Sequence, residues 1–197
     1  MISIFDYGAG NLRSVQNTLA EVGAPYRVVD DAEELRSAEK IILPGVGHFG
    51  QMVRSLDAMR VRPVLLEKIA AGTPLLGICL GLQVMFESSE EAPDVKGLGL
   101  FPGAVQRFAS FARVPHMGWN DIVPVKESPL FHDIGARPFL YFAHSYYAPV
   151  VEATAATCYY TVPYTAVLQR DNVFGVQFHP EKSGPLGLRI VKNFVDL

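Results

Sequence analysis

The sequence predicts an α/β protein of three layers. A mostly parallel central sheet carries helices on both faces, and the C-terminal half adds antiparallel strands. Three observations carry this reading. Short apolar runs alternate with amphipathic stretches through the first half, as expected of repeated βαβ units. The second half changes to β-compatible segments separated by short turns. One apolar run, Thr73-Pro-Leu-Leu-Gly-Ile-Cys-Leu-Gly-Leu-Gln83, ends in a cysteine with glycine two residues to either side.

Taken in order, Ile2–Asp6 reads as a short buried strand. Asn11–Val22 has helical spacing, with Leu12, Val15, Leu19 and Val22 on one face. Tyr26–Asp30 is a second strand, followed by a short helix over Asp31–Ala38 capped by Asp30 or Asp31. Lys40–Leu43 is a third strand ending in Pro-Gly, and helices follow at about Gly50–Met59 and Arg62–Ala71. Leu75–Ile78 is the fourth strand, and Leu82–Glu87 reads as the helix after it. Beyond the turn-rich Gly97–Gly103, strands are expected at Val105–Phe108, Trp119–Val125, Phe139–Phe142, Ala155–Thr161, Ala166–Arg170 and Val173–Phe178. Gln169–Val173 reads as a hairpin turn, and Leu186–Val195 as a closing helix. The expected outcome is one mixed sheet in a single domain over residues 1–197, with functional groups at the carboxyl ends of its parallel strands.

The Gly77-Ile-Cys79-Leu-Gly81 turn has the pattern of a nucleophile elbow with sulfur in place of the usual serine oxygen. Glycines are needed where so sharp a turn leaves no room for a Cβ. A helix starting behind Cys79 favours the thiolate; the plainer reading is a small buried cysteine in a glycine-rich turn. A thiolate nucleophile requires a base and an orienting acceptor. Phe174-Gly-Val-Gln-Phe-His-Pro-Glu181 supplies both, His179 as base and Glu181 as orienter, since a spacing of two puts both side chains on one side of an extended segment. The oxyanion needs N–H donors, one from Leu80 and another from the loop Pro44-Gly-Val-Gly47, which is otherwise an ordinary turn. Gln83, one turn past Cys79, is placed to reach the same substrate. Gly8-Ala-Gly-Asn11 lacks the third glycine of a dinucleotide loop and reads as a tight turn.

These residues resemble the class I (triad) glutamine amidotransferases. Within that class they resemble the glutaminase subunits of imidazole glycerol phosphate synthases. The elbow and His-Pro-Glu mark the class. Asp6–Leu12, Leu43–Gly50, the elbow, His116-Met-Gly-Trp-Asn120 and His179–Ser183 all fit the subunit, from the first strand to the last helix, and Pro44–Gly50 and His116–Asn120 are the stretches that point to it. The resemblance implies the class I amidotransferase fold, a Cys79, His179 and Glu181 triad, and oxyanion donors from Val46, Gly47 and Leu80. It implies glutamine contacts at Gly45, Gln83, His144, Ser145 and Tyr146, the last three through the backbone of His144-Ser-Tyr-Tyr147. It further implies a (β/α)8-barrel cyclase partner faced by Asn11, Trp119, Tyr141 and Lys182. Many members carry two glycines where this chain has Gly45-Val46, and a β-branched valine resists positive φ. The glutaminase of pyridoxal phosphate synthesis is a rival against which Val46 and His116–Asn120 speak, and a non-catalytic protein of the same fold is another.

The remaining expectations are exclusions. A net charge of −3 gives no sign of nucleic-acid binding, and no apolar run reaches membrane-spanning length. The N-terminus lacks the features of a secretion signal, which points to the cytoplasm and to Cys79 and Cys158 as free thiols. His48, His116 and His132 have no metal-ligand spacing, so neither metal nor cofactor is expected.

Overall fold

The computed structural model describes residues 1–8 and 11–197; Ala9 and Gly10 of the first glycine-rich loop lie outside that range. In the first half the expected alternation appears as β1 (Ile2–Phe5), α1 (Leu12–Glu21), β2 (Tyr26–Val29), α2 (Ala32–Arg36), β3 (Lys40–Gly45), α3 (Phe49–Ala58), α4 (Val61–Ala70) and β4 (Leu75–Cys79). These strands are parallel in the order β2-β1-β3-β4, as expected of repeated βαβ units. Asp31 caps α2, its Oδ1 accepting from the Glu34 N–H at 2.7 Å. His48 caps α3 through Nδ1, which accepts from Gly50 N–H at 3.1 Å.

The strands are apolar throughout because both sheet faces are covered. Successive residues segregate to opposite sides. Ile41, Leu43 and Leu75 join the cluster under α3 and α4, whereas Ile42, Leu76 and Ile78 join the one beneath α1 and the C-terminal helix.

The elbow helix, α5, is a single turn, Leu80–Gln83, and not the longer helix expected through Glu87. Residues 86–89 are instead β5 (Phe86–Ser89), paired in parallel with β6 (Phe101–Arg107). The cause is tertiary: the 97–101 segment reaches back, with Leu98 N–H donating to the Val84 carbonyl at 2.7 Å and Leu100 N–H to Met85 at 2.9 Å. A Cβ on Gly97 would lie 2.0 Å from the Phe86 carbonyl oxygen, so only glycine permits that approach.

The second half supplies β7 (His116–Asp121), β8 (Val123–Pro124), β9 (Phe139–His144), β10 (Tyr146–Tyr147), β11 (Thr154–Tyr160), β12 (Val162–Arg170), β13 (Val173–Val176) and the closing α6 (Gly184–Val195). β13 inserts beside β4 in parallel, and β12, β11 and β8 extend the sheet antiparallel, giving eight strands in all. Contrary to the expectation of one sheet, β7 pairs only with β9 and β10 with β6, forming two small sheets over the strand ends. Both cysteines are buried and unpaired with each other. Among the described residues no helix is long and apolar enough to cross a membrane.

Candidate active site

The carboxyl ends of β3, β4 and β13 lie side by side. Gly45 is opposite Cys79 in the β3–β4 pair, and Val176 is opposite Ile78 in the β4–β13 pair. Cys79 sits at φ 55° and ψ −107°, a strained conformation for a residue with a Cβ. The neighbouring glycines make that turn possible. A Cβ on Gly81 would fall 1.9 Å from the Leu43 carbonyl oxygen, and one on Gly77 would fall 2.6 Å from Gly81. Gly45 meets the same constraint from the other side, since its Cβ would lie 2.6 Å from Gly81 N. Gly45, expected at the substrate, packs against the elbow backbone and is not among the residues that line the cavity.

Past β13 the chain reaches His179, whose N–H donates to the Tyr141 carbonyl at 2.8 Å. Ser183 Oγ donates to the His179 carbonyl at 2.7 Å and accepts from Tyr141 N–H at 2.9 Å, which clamps this exit to β9. His179 Nδ1 and Glu181 Oε1 are 2.8 Å apart, and both side chains are buried. The pairing is not made along an extended segment as the spacing suggested, because Pro180–Lys182 forms a 3-10 turn that folds Glu181 back under the ring. Burial alone would lower the His179 pKa. Hydrogen bonds with Cys79 and Glu181 outweigh it and raise the value to about 10, so this ring holds a proton more tightly than a free imidazole.

A cavity of about 200 Å³ opens onto Cys79 and His179. Val46, Gly47, Leu80, Gln83, His144, Ser145 and Tyr146 all line it. A larger, open depression of about 840 Å³ along Pro124–Pro129, Phe131 and His132 contains none of the strand-end residues.

Several placements differ from the sequence reading. The Val46 N–H donates to Tyr7 Oη at 3.0 Å, and Tyr7 Oη donates to the Val46 carbonyl at 2.8 Å, so this N–H is engaged by a tyrosine. Gln83 Nε2 donates to the Tyr146 carbonyl at 2.8 Å and to Gln177 Oε1 at 2.9 Å, leaving only its oxygen for a ligand. The His144 ring sits in a buried cluster, 2.8 Å from the Tyr146 carbonyl, 3.2 Å from His116 and 3.3 Å from Tyr164 Oη. Burial lowers the pKa of His144 to about 3 and that of His116 to about 4, so both rings are neutral.

Three of the residues expected to face a partner form one patch. Trp119 and Tyr141 are opposite each other in the β7–β9 pair and meet edge to face, centroids 6.1 Å apart. Lys182 Nζ lies 5.8 Å from the Tyr141 ring centroid. Trp119 is 55% exposed, so the patch presents an indole and an ammonium to solvent. Asn11 stands at the head of α1, where Oδ1 accepts from Ser14 Oγ at 2.8 Å.

The sequence reading missed three residues of this region. Glu91 lines the cavity and is fixed by accepting from Phe49 N–H at 2.6 Å; nothing in its acidic surroundings singles it out. Gln177 donates through Nε2 to Cys79 Sγ at 3.5 Å, and its only sequence signal is a polar residue inside the apolar run Phe174–Phe178. Tyr7 lies in the Asp6–Leu12 stretch, but nothing there assigns it a role at the oxyanion loop.

Comparison with known proteins places the chain in a family. Residues 3–197 match the family described as glutamine amidotransferase class-I. The chain is 46% identical over 199 residues to the imidazole glycerol phosphate synthase subunit HisH of Methanothermobacter thermautotrophicus, covering 100% of this chain and 98% of that protein. It is 43% identical over 198 residues to the subunit of the same name from Methanocaldococcus jannaschii, covering 100% of both. Among solved structures, one titled PurLQS from Thermotoga maritima superposes with a TM-score of 0.78 at 20% identity, covering 99% of this chain and 97% of that one. At that identity the likeness speaks for the fold alone. The match to the family and the end-to-end identity to its members leave one assignment: the chain belongs to the class-I glutamine amidotransferases.

Proposed function

We propose that this chain is the glutaminase subunit of an imidazole glycerol phosphate synthase, with Cys79, His179 and Glu181 as its triad. The observation that supports the chemistry best is a strained, glycine-hemmed cysteine beside a buried His179–Glu181 pair. The identity of 42–46% to several HisH subunits over nearly their whole length supports the choice of synthase.

Glutamine enters the cavity with its side-chain amide towards Cys79. Glu91 offers a carboxylate to the α-ammonium, and the backbone at His144, Ser145 and Tyr146 holds the head group together with the Gln83 oxygen. Sγ attacks the amide carbon. The oxyanion is met by the Leu80 N–H and by a second N–H from Val46 or Gly47. The His179 imidazolium protonates the departing nitrogen, the C–N bond breaks, and a γ-glutamyl thioester remains. Water then adds to the thioester carbonyl as His179 takes its proton, the C–S bond breaks, and glutamate leaves. Glu181 orients His179 throughout.

Ammonia in bulk water becomes ammonium, which is not a nucleophile, so the product needs a sealed route to an acceptor on a partner. We infer a (β/α)8-barrel cyclase as that partner, docked over the strand ends where Trp119, Tyr141 and Lys182 gather. It would use the ammonia to form imidazole glycerol phosphate and an aminoimidazole carboxamide ribotide in histidine biosynthesis. The test is co-purification with a barrel cyclase followed by synthesis from glutamine and, separately, from ammonium salts. Formation of a complex with glutamine-dependent synthesis is expected; a chain that hydrolyses glutamine but neither binds nor supplies the cyclase belongs to another synthase of the class.

A further inference from the structure

Gln177 is fully buried beside the Cys79 sulfur. A buried carboxamide is costly unless its atoms are paired, and sulfur is a weak acceptor, so packing alone does not account for it. Its orientation follows from a chain of contacts with one fixed end. The Tyr146 carbonyl only accepts, so the part of Gln83 that meets it at 2.8 Å is the amino group, Nε2. The same Nε2 lies 2.9 Å from Gln177, which must offer it Oε1. The other end of the Gln177 carboxamide, Nε2, is then the one facing Sγ at 3.5 Å. A single backbone carbonyl thus sets the polarity of both amides, independently of how either was assigned.

The sheet register explains how Gln177 reaches that place. Val176 pairs with Ile78, so Gln177 and Cys79 are the next residues on adjacent parallel strands. The Gln177 N–H still donates to the Ala166 carbonyl at 2.9 Å, which keeps the segment extended past β13. Gln177 and His179 therefore share a side, while Phe178 between them is buried in the core. One strand exit delivers two hydrogen-bonding groups to one sulfur.

We propose that Gln177 is a positioning residue for the nucleophile. Its carboxamide N–H holds Sγ at one point and favours the unprotonated, negatively charged sulfur, and Gln83 holds the carboxamide. The inference rests on Cys79 being the nucleophile. In acylation the donor restrains Sγ while the new S–C bond forms. In deacylation the C–S bond breaks, the electron pair returns to sulfur, and the same N–H stabilises it. The substrate oxygen is served by other N–H groups, so loss of Gln177 should act on turnover rather than on binding.

The test uses the chain in complex with its synthase partner and the variants Gln177→Met and Gln177→Glu. Methionine fills the volume without donors. Glutamate still accepts from Gln83 but turns a carboxylate oxygen towards sulfur, so it loses the donor and adds a negative charge that opposes an unprotonated Sγ. The expected result is a kcat for glutamine hydrolysis lower by about 10- to 100-fold, with KM within about threefold. Alkylation of Cys79 by iodoacetamide should slow by a similar factor, although melting stays cooperative. A purely packing role would lower the melting temperature and leave alkylation unchanged or faster. Folded variants with unaltered kcat and alkylation rate overturn the proposal. Should neither variant fold, the Gln177 carboxamide ¹⁵N–¹H resonances of the unaltered protein are followed as Cys79 is alkylated; a shift supports the contact and stationary resonances overturn it. Cys79→Ala is the control for the reading beneath: if it still turns over glutamine, the nucleophile assignment itself fails, whatever Gln177 does.

Discussion

The Tyr7 hydroxyl bridges both polar groups of the Val46 backbone, donating to its carbonyl at 2.8 Å and accepting from its N–H at 3.0 Å. In this state the Val46 N–H cannot also serve a substrate oxyanion. An acyl-transfer site missing one such donor is slower by roughly 10²–10³. Tyr7 lies just after β1, so a change at that strand end reaches the Val46 peptide through a single hydroxyl. A partner can shift the loop only by its differential affinity for the two arrangements. Val46→Gly lowers the strain of the alternative peptide orientation, and Tyr7→Phe removes the bridge. Both are expected to raise partner-independent glutaminase activity relative to the stimulated rate, by about tenfold. Glutamate release by the isolated chain and by the complex, each with and without the cyclase ligand, measures that ratio. An unchanged ratio in both variants would count against the bridge as a brake and favour movement of His179.

A second prediction concerns the triad. Cys79→Ala should abolish glutamine-dependent synthesis while the complex still works with added ammonium salts. His179→Ala should be nearly as severe, because the same ring protonates the leaving nitrogen and later deprotonates water. Glu181→Gln should cost less, since the base is retained and only its orientation and charge balance are lost. The Glu181 Oε2 atom is buried without a partner among the described residues, so the carboxylate depends on the charged ring for compensation. Equal losses for Glu181→Gln and His179→Ala would make Glu181 more than an orienter.

The exposed patch gives a third. Lys182 directly follows Glu181 and stacks towards Tyr141, whose backbone is tied to His179 and to Ser183. Contacts made by a partner on this patch would thus reach the triad through very few atoms. Replacing Lys182 or Tyr141 with Ala is expected to weaken coupling between glutamine hydrolysis and synthesis by several-fold, with the melting temperature within a few degrees of the parent. Nitrogen-transfer efficiency, as synthesis per glutamate released, is the measurement. Normal efficiency in a fully formed complex removes these side chains from the route.

Much of this arrangement could be read before any fold was seen, for physical reasons that differ from part to part. The parallel strands were visible because burial on both faces makes them apolar throughout, as in Lys40–Leu43 and Leu75–Ile78. The elbow was visible because a Cβ on Gly77 or Gly81 would collide with backbone, which leaves a glycine signature around Cys79. The helix expected through Glu87 failed because the 97–101 segment takes the Val84 and Met85 carbonyls, a long-range event that local periodicity does not encode. Gln177, Glu91 and Tyr7 were illegible for a related reason. Each matters through a partner distant in sequence, and only the β4–β13 register brings Gln177 beside Cys79.

The last prediction is the pH dependence of stability, which has opposite causes on its two sides. His116 and His144 are neutral in the fold, with values lowered by burial to about 4 and about 3. Below the ordinary histidine range the unfolded chain takes up protons that the folded chain refuses, so stability falls as pH drops from about 6.5 towards 4. Each ring contributes roughly 3 kcal/mol by pH 4, an upper figure because the two lie 3.2 Å apart and titrate together. His179 behaves in the reverse sense. Its raised value of about 10 stabilises the fold below pH 6.5, and that contribution is lost as pH rises towards 10. Stability should therefore be greatest near neutrality and decline on both limbs. Urea unfolding at a series of pH values measures both. His116→Phe keeps the stacking against Tyr160, 4.0 Å between centroids, and should flatten the acid limb without touching the alkaline one. Cys79→Ala removes a partner that raises His179 and should flatten the alkaline limb alone. An acid limb equally steep in His116→Phe would remove His116 as a cause and leave the loss to His144 and other groups.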